Sequence, residues 1–168
     1  MRKETFIIAV FAILIVAASF RSTTAQDKLI ILVRHAEKAD ATSQDPELSD
    51  EGKQRAQRLI RAIGKYRPGA FYSTDLKRTR DTVAPLAAKR KKTVETYDPR
   101  QPKVLLDKIQ SSDTKRVVVV GHSNTIPGLA NLILKKDLFK NLDESEYTVI
   151  WKIRLKDGRV TEAELLDY

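Results

Sequence analysis

The chain has 168 residues, 42% hydrophobic and 32% charged, with a formal net charge of +9 and no cysteine. The missing thiol excludes a disulfide framework, a cysteine nucleophile, a thiolate zinc site and an acylated lipoprotein. The positive excess points to anionic partners and carries no information about fold.

In chain order, the first element is a leader. Arg2 and Lys3 precede an apolar run from Phe6 to Phe20, shorter than the ~20 residues a membrane-spanning helix needs. Thr23 and Ala25 are small residues placed for a cleavage site. The pattern predicts a secretory signal peptide over residues 1–25, with an exported, periplasmic or secreted, domain over 26–168. The alternative is an uncleaved N-terminal anchor. After cleavage no membrane span remains, and loss of Arg2, Lys3, Glu4 and Arg21 lowers the net charge by two.

The exported part alternates strand and helix patterns. Lys28 to Val33 is a continuous apolar run, as in a strand buried on both faces. A polar loop follows over Ala39 to Glu47. Ser49 then caps a helix with Asp50 and Glu51 in its first turn. Ala56, Leu59, Ile60 and Ile63 mark its buried face, and Gly64 ends it. Ala70 to Tyr72 reads as a short strand, Leu76 to Lys89 as a helix, and Thr93 to Tyr97 as a third strand. Pro102 starts a short helix through Ile109. Val117 to Val120 is a four-valine strand, followed by a helix with Ile126, Leu129, Ala130 and Ile133 inward. Tyr147 to Leu155 and Val160 to Leu165 form a hairpin around an Asp157-Gly158 turn. These elements predict an α/β fold: a three-layer α/β/α sandwich with a mostly parallel central sheet and a C-terminal antiparallel hairpin.

The chain's two histidines, His35 and His122, each fall just past the carboxyl end of a predicted strand, the edge where open α/β sheets bind ligands. Arg34 adjoins the first, and Arg78 lies at a helix start just past the second strand. Arginine forks match phosphoryl oxygens, and a neutral imidazole can attack phosphorus. The rival is zinc held by the histidines with a carboxylate; arginines beside such ligands would repel the cation. No cofactor or metal is therefore expected. Lys89 to Lys92 follows a helix end, where cations suit the dipole, and no aromatic residues interleave with it. The chain is read as binding no nucleic acid. Its oligomeric state is not legible.

With these residues in place, the sequence resembles the histidine phosphatase, or phosphoglycerate-mutase-like, superfamily, and in particular its small single-domain members. The motifs are Arg34-His35-Ala36-Glu37-Lys38, Leu48-Ser49-Asp50-Glu51-Gly52, the varied helix element Thr74 to Thr82, and Gly121-His122-Ser123-Asn124. They occur in the family's order over about residues 28 to 135. The resemblance implies His35 as nucleophile, with Arg34, Arg78 and His122 completing a phosphate pocket. Asn124 is either a further donor to substrate or a helix cap. Glu37 either orients an arginine at the substrate site or faces solvent. Larger members carry an acidic proton donor in an insertion after the third strand. Here only Tyr97 to Pro102 occupies that place, so Asp98 is either the general acid or a turn residue. The implied activity is hydrolysis of phosphate monoesters, on small molecules or macromolecules, through phosphohistidine. The alternatives are a phosphoglycerate-mutase-type phosphotransferase and a non-catalytic anion-binding module.

Overall fold

The computed structural model describes residues 27–40 and 42–168. The predicted leader and its cleavage site lie outside the described residues. Among those described, no helix is long and apolar enough to cross a membrane.

Six strands form one mixed sheet in the order β3-β2-β4-β1-β5-β6. The strands are β1 (Lys28–Arg34), β2 (Ala70–Ser73), β3 (Val94–Thr96), β4 (Arg116–Gly121), β5 (Ile150–Lys156) and β6 (Arg159–Leu166). The helices are α1 (Asp50–Ile63), α2 (Lys77–Lys89), α3 (Pro102–Ser111) and α4 (Thr125–Leu134). β1 is buried along its whole length. It pairs in parallel with β4 and antiparallel with β5.

The apolar runs become a three-layer sandwich because alternate side chains leave opposite faces of a strand. Leu29, Ile31 and Val33 pack with Leu59 and Ile63 of α1 and with Val83 and Leu86 of α2. Ile30 and Leu32 pack on the other side with Leu105 and Ile109 of α3 and Ile126, Leu129 and Ile133 of α4. The valines of β4 divide the same way, Val118 and Val120 to one face, Val117 and Val119 to the other. The fold class is the one the sequence predicts.

α1 ends at Ile63 with Gly64 as its C-cap, as the sequence predicts; Gly64 stays right-handed at φ −58°, and the chain tightens into a 3₁₀ turn over Gly64–Tyr66. The left-handed residue is Arg67, at φ 52°. The third strand contracts to Val94–Thr96, an edge strand paired only with β2. β5 starts at Ile150, three residues after the predicted start. The carbonyls of Asp143 and Glu146 accept from the Arg34 guanidinium, both at 2.7 Å, instead of entering a ladder. The hairpin turn is as expected: Asp157 and Gly158 both have positive φ, 50° and 72°.

Parallel pairing sets the ends of β1, β2 and β4 level. Val33 and Ser73 both pair with Val120, and Arg34 pairs with Gly121. The residues just beyond these positions, His35, Thr74 and His122, therefore emerge along one edge of the sheet.

Candidate active site

The His35 backbone is fixed on both sides. Its N–H donates to the Gly121 carbonyl at 2.9 Å. The next N–H, of Ala36, donates to Thr82 Oγ1 at 2.8 Å, and that hydroxyl donates to the Arg78 carbonyl at 2.7 Å. One turn of α2 thus ties the loop after β1 to the arginine expected in the pocket. In the sequence Thr82 is legible only as the last letter of a motif. Its task is to pair a buried N–H that would otherwise cost about 1–3 kcal/mol.

Nδ1 of His35 lies 2.8 Å from the Ala36 carbonyl. A carbonyl only accepts, so Nδ1 carries the proton and Nε2 keeps its lone pair. Burial pushes the imidazole down to about 3. His122, Arg78 and Arg34 add to that push, and the Ala36 bond opposes it. The ring is neutral at physiological pH, as a nitrogen nucleophile requires.

The His122 ring lies 5.4 Å from that of His35, centroid to centroid. Its Nε2 is 2.9 Å from Thr74 Oγ1, which is 2.9 Å from Thr79 Oγ1. Thr79 donates onward to the Leu76 carbonyl at 2.8 Å. With the proton of Thr79 spent there, Thr74 donates to Thr79 and accepts from Nε2–H of His122. Nδ1 is the nitrogen left for a ligand. Burial, then Arg78, Arg34 and Lys38, lower this ring to about 4. An arriving anion would favour its protonated form.

Arg34 is 1% exposed. Its Nη1 is saturated by the Asp143 and Glu146 carbonyls, and Nη2 donates to Glu144 Oε2 at 3.1 Å. Arg78 donates from Nη1 to the Gln44 carbonyl at 3.3 Å. Among the described residues, Nε of Arg34 and Nε of Arg78 are buried and have no hydrogen-bond partner. Two charged donors left unpaired in one region are costly unless an acceptor joins them. Among the described residues, no three His, Cys, Asp or Glu side chains converge in a group able to hold a metal.

The remaining sequence-selected residues separate from this cluster. Glu37 accepts from Nε of Arg55 at 2.8 and 3.0 Å, so the arginine it orients is not one of the pocket pair. Arg55 also donates to the Tyr168 carbonyl at 3.2 Å, joining α1, the His35 loop and the chain's end. Asn124 is exposed at the N-cap position of α4, and its side chain makes no capping bond. Thr125 Oγ1 instead accepts from the His122 N–H at 2.9 Å. Asp98 takes the turn reading. Its Oδ1 accepts from Arg100 N and Nε at 2.9 and 3.0 Å, and Oδ2 from Arg100 Nη2 at 3.0 Å. Those bonds hold its carboxyl at about 2. A carboxyl so stabilised as the anion is a poor proton donor.

Sequence reasoning missed the segment between α4 and β5. Besides binding Arg34, it sets the Tyr147 ring 4.1 Å from the Arg34 guanidinium and 6.2 Å from the His35 ring. Leu142 N–H donates to the Ser123 carbonyl at 2.9 Å. Tyr147 reads as strand in the sequence because Tyr-Thr-Val-Ile is a strand-like run.

A sequence model of the histidine phosphatase superfamily (branch 1) matches residues 30–100, which include Arg34, His35 and Arg78. Over those residues the chain is similar to this superfamily. No curated protein matches its sequence significantly. Solved structures share the fold. The protein histidine phosphatase SixA in complex with tungstate is 14% identical, at TM-score 0.67, over 83% of this chain and 96% of that one. A mycobacterial glucosyl-3-phosphoglycerate phosphatase with inorganic phosphate is 16% identical, at TM-score 0.65, over 82% and 95%. A phosphoserine phosphatase mutant of Entamoeba histolytica with phosphoserine is 16% identical, at TM-score 0.64, over 81% and 96%. The Gly121 to Asn124 element lies beyond the matched residues, and the pairing of β1 with β4 brings His122 to His35.

Proposed function

We propose that this protein is an exported phosphatase that hydrolyses phosphate monoesters through a phosphohistidine on Nε2 of His35. One observation carries the reading. A neutral histidine with its Nε2 lone pair free stands beside a second histidine and two arginines, each with a buried, unpartnered Nε. A phosphoryl group supplies both the electrophile and the missing acceptors. Arg34, Arg78 and His122 hold its non-bridging oxygens while the charge shifts during transfer. The cations gathered there favour a mechanism without a metal, so turnover is expected to survive exhaustive chelation.

The test is a rapid acid-free quench with a phosphate-labelled substrate. An acid-labile, base-stable label on His35 is expected, and His35→Ala should abolish both label and turnover. Substantial turnover by His35→Ala would refute the mechanism. For the leader, exported protein is expected to begin at Gln26, read by intact mass; retained Met1 would establish the anchor instead.

A further inference from the structure

The proposed reaction lacks one component: a group to protonate the departing oxygen. Asp98 is spent on its turn. The segment before β5 carries a better-placed carboxylate. Glu144 Oε2 lies 3.1 Å from Arg34 Nη2 and 4.0 Å from Lys38 Nζ, and Oε1 accepts from Ser123 Oγ at 2.9 Å. The flanking carbonyls, of Asp143 and Glu146, are both held by Arg34 Nη1. The backbone on either side of Glu144 is thus pinned to the arginine that precedes the nucleophile. The side chain itself is 73% exposed and exchanges protons with solvent.

We infer that Glu144 is the general acid and base of this site. The inference rests on the phosphatase reading and names a residue for it. In the free protein the Ser123 hydroxyl, then Arg34, Lys38 and His35, hold its carboxyl below the usual range. A phosphate dianion entering the pocket takes the Arg34 donors and places two negative charges beside Glu144. Losing a cation and gaining a like charge both raise a carboxyl's proton affinity. Glu144 therefore takes a proton from water as substrate arrives. Nε2 of His35 then attacks phosphorus, the P–O ester bond breaks, and its electron pair leaves on an oxygen that takes the Glu144 proton. In the second step water loses a proton to the Glu144 carboxylate and attacks phosphorus. The P–N bond breaks, Nε2 regains its lone pair, and Glu144, protonated again, returns that proton to solvent as phosphate leaves. The same carboxylate thus serves both half-reactions, and its exposed face admits the water.

The test compares kcat/KM of wild type and Glu144→Gln on glycerol phosphate and on nitrophenyl phosphate. This ratio reports the step that phosphorylates His35. An alkoxide needs the proton and a nitrophenolate does not. Glu144→Gln is expected to lose ~10²–10⁴-fold on glycerol phosphate and at least about tenfold less on nitrophenyl phosphate. Equal losses on both would make Glu144 a loop anchor and overturn the inference. A rise on both, with tighter inhibition by inorganic phosphate, would make it a competitor of substrate and overturn it too. Wild-type protein that turns over neither ester and forms no phosphohistidine would overturn the phosphatase reading itself, and this inference with it.

Discussion

Gly52 makes the contact between α1 and the His35 loop as close as it is, and the same substitution at a second glycine provides the control. A Cβ at Gly52 would lie 3.1 Å from Glu37 N and 3.2 Å from Glu37 C, and closer still to the Glu37 carbonyl oxygen. Against a carbon–oxygen contact of roughly 3.3 Å, the overlap with that oxygen is about 1 Å. The oxygen cannot retreat freely. It accepts from Ser49 N at 2.9 Å, Ser49 Oγ caps the Gly52 N–H at 3.1 Å, and the Glu37 side chain is held by Arg55. Overpacking of this kind costs about 1–3 kcal/mol, while alanine gains about 1 kcal/mol in helix propensity. With the obstacle a pinned backbone atom, Gly52→Ala should lose about 2 kcal/mol net. That is a fall of roughly 4–8 °C in Tm for a domain of this size. Glu37 is two residues from His35, so a displacement of about 1 Å at the loop should also cost ~10²-fold in turnover. At Gly128, exposed in α4, an added Cβ would meet nothing within 4 Å. Gly128→Ala should therefore stabilise by about 0.5–1 kcal/mol. Differential scanning fluorimetry and nitrophenyl phosphate turnover on both variants decide the matter. A Gly52→Ala protein as stable and active as Gly128→Ala would refute the close-approach argument.

Thr82→Val keeps the shape of the side chain and removes the acceptor of the Ala36 N–H; a loss of about 1–3 kcal/mol is expected in urea denaturation, with Thr82→Ser near wild type. Both histidines are depressed, to about 3 and about 4, against ~6.5 in the unfolded chain. The unfolded state therefore binds more protons over that window, and stability should fall as pH drops from about 6.5 toward 4. Replacing His122 with Asn should make that slope shallower; an unchanged slope would contradict the buried, neutral ring. Asp98→Asn should change the two phosphate esters equally and little, since its partners are Arg100 and Gln101; a selective loss on the alkyl ester would return the acid role to it.

The legible parts of this protein are local. A strand buried on both faces announces itself as an unbroken apolar run, so β1 and β4 are readable, and a Pro at a helix start and Asp-Gly in a hairpin carry their own geometry. His35 and His122 are readable because each follows such a strand. What cannot be read is long-range and patternless. The bonds from Arg34 to the segment before β5 span 109 to 112 residues. Two of the three fall on backbone carbonyls, which every residue possesses. Glu144 sits in Asp-Glu-Ser-Glu, a polar run indistinguishable from any solvated turn. Asp98 is ambiguous for the opposite reason: Asp before Pro favours a turn wherever it stands, and only the bonds from Arg100 show that the turn has claimed both its oxygens.

The direction of β5 has a consequence for how this scaffold accommodates change. In a wholly parallel sheet the segments at the ligand edge are the ones that leave strands. Here β5 runs antiparallel beside β1, with Ile150 opposite Val33, so the segment that enters β5 is delivered to that edge as well. Lengthening such a connection costs little, about 0.6 kcal/mol for each doubling. Phe139 and Leu142 pack against the core, while Lys140 and Asn141 between them are exposed. A graft at those two positions would leave Arg34 its carbonyls at Asp143 and Glu146 while building a new wall over the pocket. The α4–β5 crossing is thus the natural place to impose a choice of substrate on an otherwise unaltered sheet.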